Sequence, residues 1–176
     1  MLKAVACGRC GRDGENEKPG LFNRGSQGFA LYAEAFFETD PVKLAETALK
    51  AIPAESQYAE MVRDMIAWYR TDPQDWQRTW RLCQKKYREN PDYQKASNGG
   101  IDCKINGAYV LMGLLYGKRD LDQTIVIACR CGEDSDCNPS SSGGVLFTTV
   151  GLPKTPTTAG NGGLRRGKPR LPSIDS

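Results

Sequence analysis

Apolar residues recur at helical spacing along most of the middle of the chain. The clearest stretch places Tyr58, Met61, Val62, Met65, Ile66 and Tyr69 at i, i+3, i+4, i+7, i+8 and i+11, one face of a 3.6-residue repeat. Trp76, Trp80, Cys83 and Tyr87 follow at i, i+4, i+7 and i+11. Asp72-Pro73 separates these two predicted helices, and Pro91 is expected to end the second. Core packing accounts for the aromatic stripe without invoking a ligand. Upstream, residues 28–37 predict a helix with Phe29, Tyr32, Ala33 and Phe36 inward. Asp40 can cap the next helix, Pro41 suits its first turn, and Val42, Ala45, Leu49 and Ile52 are its inward positions.

Downstream, Asn98-Gly99-Gly100 signals a loop. Ile105 to Tyr116 is apolar nearly all round, which predicts a central buried helix. Gly107 and Gly113 within it lower helix propensity but let neighbouring backbones come close, and Gly117 is the expected stop. Asp120 with Gln123 three residues on is a capping-box arrangement. It favours helix over strand for the β-branched run Thr124-Ile125-Val126-Ile127. Gly132 ends that helix. A last one starts at Asn138-Pro139, with Val145, Leu146 and Thr149 inward. The pattern as a whole predicts an all-α fold, an orthogonal helical bundle over residues 26–153. Residues 1–25 read as an irregular arm and 154–176 as a flexible basic tail.

Hydrophobic residues make up 39% of the 176 residues and charged residues 26%, which suits a globular protein with a real core. No apolar run is long enough to span a bilayer, and the N-terminus lacks the pattern of a secretory signal, so a cytoplasmic location and no membrane partner are expected. The net charge of +3 hides an acidic middle between two basic ends. Arg165-Arg166-Gly167-Lys168-Pro169-Arg170 would give at most weak, salt-dependent contact with nucleic acid, which is not expected as a partner. Histidine is absent, which excludes Ser-His-Asp and Cys-His catalysis within the chain. Seven irregularly spaced cysteines suggest free thiols rather than a disulfide framework. A zinc or redox role for Cys7-Gly8-Arg9-Cys10 with Cys129-Arg130-Cys131 is a weaker alternative, because the pairs are irregular and Gly11 to Gly14 disfavours the helix a redox motif needs.

Gly132-Glu133-Asp134-Ser135-Asp136-Cys137-Asn138 concentrates three carboxylates between two predicted helices. Such a cluster is unfavourable unless it is solvated, caps a helix, or is neutralised by a cation. Hard divalent ions such as Mg²⁺ prefer these oxygens. The plain alternative is that Asp134, Asp136 and Asn138 form Asx turns and cap the helix that follows. An EF-hand is excluded, because Pro139 falls where glycine is needed and Val145 where the bidentate glutamate should be.

The surrounding run carries a family resemblance. Asn106-Gly107-Ala108-Tyr109, Leu114-Leu115-Tyr116-Gly117, Asp120-Leu121-Asp122-Gln123-Thr124-Ile125 and the Gly132–Asn138 loop, in this order, resemble the C-terminal region of ADP-ribosylglycohydrolase-family proteins. Residues 28–88 resemble the helical portion that precedes it in one bacterial-type branch. The resemblance implies an all-α fold with a pair of Mg²⁺ ions, and hydrolysis of a bond between ADP-ribose and a protein side chain or a related ribosyl linkage. The implied partner is an ADP-ribosyl-type small molecule or an ADP-ribosylated protein. Asp134, Asp136 and Cys137 correspond to ligands of the second metal, although a thiol is a soft, poor donor for Mg²⁺. Asp102 and Asn106 are the candidate substrate-lining residues, and no catalytic residue is assignable.

The family's early glycine-aspartate motif and its Thr-Asp-Asp triplet, which hold the first metal, do not occur here, and Asp13-Gly14 is no substitute. One half-site is expected, with impaired turnover, and a truncated or shifted reading frame would produce such ends. The other expectation is a non-catalytic helical remnant or binding module.

Overall fold

Capping side chains set where most of the helices begin. The computed structural model describes residue 28 and residues 30–94 and 102–150. The N-terminal arm, the basic tail, Cys7 and Cys10 therefore lie outside the described residues. Among the described residues every regular element is helical. A short helix α1 (residues 30–34) leads to α2 (Pro41–Ala48), where the Asp40 carboxylate accepts the N–H groups of Val42 and Lys43 at 2.8 and 3.2 Å. Ser56 caps α3 (Gln57–Thr71) and Asp75 caps α4 (Trp76–Cys83). A π-helical turn, Gln84–Arg88, continues α4, and a one-turn helix α5 (Pro91–Gln94) follows. Asp102 opens α6 (Cys103–Tyr116) and Asp120 opens α7 (Leu121–Arg130); α8 spans Cys137–Val150.

Helix α6 is the axis of the fold. Every residue from Lys104 to Tyr116 is buried, as its lack of a polar face predicts. It packs mainly against α7, α8 and α3. Gly113 explains how closely. A Cβ there would lie 2.8 Å from the Thr124 carbonyl of α7 and 3.0 Å from both Ala128 Cβ and the Ser142 hydroxyl of α8. The predicted stripe of α3 is buried as expected, from Tyr58 to Ile66, with Tyr69 packed at its edge. Cys83 and Tyr87 are buried, and Trp76 and Trp80 lean on the core. In α8, Val145 and Leu146 are buried. Its poor helix formers are held from outside by the Ser142 hydroxyl, which donates to the Val110 carbonyl at 3.1 Å.

Four local expectations need correcting. The inward face of residues 28–37 is Leu31 and Ala35, not the aromatic stripe. Tyr32 and Ala33 are exposed, Phe36 is 74% exposed, and Phe29 lies outside the described residues. The helix stops at residue 34 and the chain turns through residues 35–37, so the aromatic spacing loses its phase. In α2 the buried set is Leu44, Ala45 and Ala48, with Val42 and Leu49 at its margin. Pro91 starts α5 rather than ending α4, because the π-helical turn has already done so. Gly117 does stop α6, but with φ −71°; its need for glycine is contact with Thr124, not a left-handed backbone.

Polar groups tie the elements together. Lys86, on the π-helical turn, bridges two acids of α3, Glu60 at 2.7 Å and Asp64 at 2.5 Å. Tyr87 and Tyr93 donate to the same two carboxylates. Lys104 is buried and donates to the Tyr93 carbonyl and to Asp102, fastening α5 to the start of α6. Among the described residues no helix is long and apolar enough to cross a membrane.

Candidate metal centre

The loop between α7 and α8 is shaped by its backbone before its side chains. Gly132 has φ +94° and Glu133 φ +57°, so two consecutive residues sit in the left-handed region, which costs a non-glycine residue about 1 kcal/mol or more. An ion pair between Arg88, on the π-helical turn, and Glu133 accompanies this bend. On the other side, Trp80 of α4 donates its indole N–H to the Cys131 carbonyl at 2.9 Å. The end of α7 is thus fixed from two directions.

Beneath the loop lies a buried amide pair. Asn106 and Asn138 have no exposed surface. Asn106 Oδ1 accepts the Asp134 N–H at 3.2 Å and Asn138 Nδ2 at 2.7 Å, and Asn106 Nδ2 donates to the Asp102 carbonyl at 3.2 Å. Asn138 Oδ1 is buried without a hydrogen-bond partner. A buried asparagine within a mostly apolar helix therefore holds the backbone of the acidic loop from below.

Above it, Asp134, Asp136 and Cys137 each present one potential ligand atom, and these three atoms lie within 4.8 Å of one another. Asp134 is half-buried and Asp136 exposed. The Cys137 N–H donates to Asp136 Oδ1 at 3.0 Å and to Asp134 Oδ1 at 3.4 Å, so the carboxylates also cap α8, as the Asx-turn alternative required. A hydrogen bond shared with the Asp134 carboxyl, and then the Cys137 N–H, hold Asp136 below the usual carboxylate range. Oxygen ligands of an octahedral Mg²⁺ stand about 3 Å apart when adjacent and about 4.2 Å when opposite. The two carboxylates suit a hard cation in chemistry. The Cys137 sulfur does not suit it.

A family model, described as ADP-ribosylglycohydrolase, matches residues 24–162. The chain belongs to the ADP-ribosylglycohydrolase family. Comparison with curated proteins gives no match, and comparison with solved structures gives none. The family match extends past both edges of the 26–153 domain predicted from helical patterning. ADP-ribosylglycohydrolase-like function in general follows from membership, as does a helical fold.

Within this ADP-ribosylglycohydrolase chain, the predicted site residues fall into two layers. Asp134, Asp136 and Cys137 converge. Asn106, expected to line the substrate cleft, is fully buried and its amide is committed to the loop. Asp102 caps α6, accepting the Lys104 N–H at 2.7 Å. Sequence reasoning missed Asn138 as Asn106's partner, the Arg88–Glu133 pair and the Trp80 contact. A lone asparagine in an apolar helix was the available signal for the first; the other two join residues too far apart in sequence to leave one. The thiolate alternative loses ground at Cys131, which is buried, donates to Met112 Sδ at 3.3 Å and has its pKa raised by burial.

Proposed function

We propose that Asp134 and Asp136 hold a divalent cation, Mg²⁺ by the hardness of their oxygens, in a site for hydrolysis of an N- or O-glycosidic bond to ADP-ribose. The observation that carries this reading is the convergence of the two carboxylates on a loop whose backbone is pinned by buried Asn106. A bound divalent ion supplies Lewis acidity and lowers the pKa of a coordinated water. The chain's own contributions are positional. Asp134 and Asp136 present the charge, Asn106 fixes the backbone where Asp134 enters the loop, and Asp102, at the mouth of α6, borders the substrate. The substrate is an ADP-ribosyl small molecule or an ADP-ribosylated protein in a reducing, cytoplasmic setting, which suits the thiols of Cys83, Cys129 and Cys131.

Turnover by this chain is slow or absent. Among the described residues only one cluster could hold a metal, and the Thr-Asp-Asp triplet is missing from the sequence, whereas a two-metal site needs both sets to clamp substrate and water. The test combines titration calorimetry with an assay of free ADP-ribose. The expected result is weak Mg²⁺ binding, lost in Asp134→Asn/Asp136→Asn, with ADP-ribose release near background. Unchanged Mg²⁺ binding in the double variant refutes the site, and clear release by the pure chain refutes the impairment.

A second reading, a non-catalytic binding module, is favoured by the position of the open groove of about 290 Å³. It lies between Trp76, Tyr116 and Ile127, at the opposite end of α6 from Asn106. ADP-ribose binding that ignores both Mg²⁺ and the aspartates would support that reading instead.

A further inference from the structure

We infer that the groove at the far end of α6 is a binding site for an adenine nucleotide, separate from the acidic loop. The inference rests on the binding-module reading of that groove and deepens it; it does not depend on the metal ligands. Tyr116, the last residue of α6, and Trp76, the first of α4, line the groove with rings, and Val126 of α7 adds aliphatic surface. Val126 is 42% exposed, so this apolar lining faces solvent. The volume of about 290 Å³ stands at the lower end of the range for small-ligand pockets, roughly 300–1,000 Å³. An aromatic face of this kind stacks a nucleobase.

The polar groups of the lining match the other parts of a nucleotide. Gln123 of α7 brings an exposed carboxamide to the groove, and a carboxamide pairs with adenine through both the N6 amino group and N7. The Asp122 carboxylate beside it offers acceptors of the kind that take ribose hydroxyls. Lys118, in the link between α6 and α7, supplies an ammonium for a phosphate oxygen. Its Nζ donates to Gln74 Oε1 at 3.0 Å. This bond holds the ammonium at the edge of the groove and turns Gln74 so that its amide nitrogen is the end left to donate. Arg78 adds positive charge behind the Tyr116 wall. It acts electrostatically on the Tyr116 hydroxyl, and its Nη1 is buried with no hydrogen-bond partner among the described residues. Rings for the base, an amide for its edge, a carboxylate for the sugar and a cation for the phosphate thus border one groove.

The experiment titrates the full, reduced chain by calorimetry with AMP, GMP, adenosine, ribose 5-phosphate and ADP-ribose, in EDTA so that the acidic loop carries no cation. AMP is expected to bind. Ribose 5-phosphate, which lacks the stacked base, binds about tenfold more weakly, and so does GMP, whose oxo group replaces the amino donor that the carboxamide reads. Lys118→Asn keeps a residue that tolerates the left-handed φ of +52°; it weakens AMP about tenfold and leaves adenosine unchanged. Gln123→Ala removes the preference for AMP over GMP. Both side chains are exposed, so neither substitution threatens the fold. Asp134→Asn/Asp136→Asn leaves AMP affinity as it is. No AMP binding at millimolar concentration overturns the inference, as does AMP binding indifferent to both groove variants. AMP binding lost in the aspartate variant moves the nucleotide to the acidic loop and overturns it too. ADP-ribose binding that survives in both groove variants and in the aspartate variant overturns the groove while the binding-module reading stands.

Discussion

Replacing Asn106 by alanine tests whether the acidic loop is held from below. The side chain makes three hydrogen bonds, at 3.2 Å from the Asp134 N–H, 2.7 Å from Asn138 Nδ2 and 3.2 Å to the Asp102 carbonyl. The Asp102 carbonyl keeps the Asn106 N–H at 3.1 Å, so its loss is small. Asn138 fares worse. Its Oδ1 already lacks a partner, and the substitution orphans its Nδ2 as well, with no solvent to replace it. A buried donor left unmade costs about 1–3 kcal/mol. The half-buried Asp134 N–H adds about 1 kcal/mol, and the vacated volume adds to both. The expected destabilisation is about 3 kcal/mol, a large share of the ~5–15 kcal/mol that holds a typical domain. Urea unfolding measures it directly, and the melting temperature should drop by roughly 10 °C. Asn138→Ala should cost only about 1 kcal/mol, because it removes the unpartnered oxygen together with the shared bond and leaves Asn106 its Asp134 partner. The double variant should therefore cost less than the sum of the two. If Asn106→Ala costs under 1 kcal/mol, or no more than Asn138→Ala, the loop is not supported in this way.

Three further outcomes follow from the geometry. Gly113→Ala should destabilise by about 1–3 kcal/mol, because the new methyl meets the Thr124 carbonyl and Ser142 where α7 and α8 close on α6; equal stability by thermal unfolding would contradict that packing. Burial tends to raise the Glu60 pKa, but hydrogen bonds from Lys86 and Tyr93 outweigh it and the net shift is downward. Its contribution is thus present above the ordinary glutamate range and lost as pH falls below about 4. Burial tends to lower the Lys86 pKa, and its bonds to Asp64 and Glu60 raise it on balance, so its share holds below about pH 10.4 and is lost as pH climbs through the raised value. Lys86→Met should flatten both limbs of the stability–pH profile and cost about 1 kcal/mol at neutral pH; an unaltered profile counts against the bridge. Finally, Mg²⁺ at a hundred times its dissociation constant should raise stability by about 2.7 kcal/mol, and Asp134→Asn/Asp136→Asn should remove that gain in a melting experiment.

The sequence made the middle and end of the fold readable because helical phase there is carried by long uniform stripes. Tyr58 to Ile66 admits one phase, Ile105 to Tyr116 is apolar nearly all round and needs none, and both are buried as read. Asp120 as a cap outweighed the β-branched run Thr124 to Ile127, which is helical. The start was ambiguous for a physical reason. In residues 28–37, Phe29, Tyr32 and Phe36 make one helical stripe and Leu31 and Ala35 another. Intrinsic hydrophobicity favours the aromatics, but the turn at residues 35–37 gives the core to the smaller pair. The π-helical turn at Gln84–Arg88 left no mark, since Cys83 and Tyr87 keep a spacing of four in either geometry. At the site, the Asp-x-Asp-Cys segment was visible because its ligands are neighbours in sequence. The Asn106–Asn138 pair, 32 residues apart, was not, since such contacts come from the docking of α8 on α6.

The indole of Trp80 sits one peptide away from the bend at Gly132, through its hydrogen bond to the Cys131 carbonyl. Loop and fluorophore are therefore wired together without any label. In the proposed site, a cation that drew the two aspartates inward would shift the end of α7, and with it the polarity around that ring. Of the three tryptophans, this one would then report occupancy of the proposed site as a shift in emission colour.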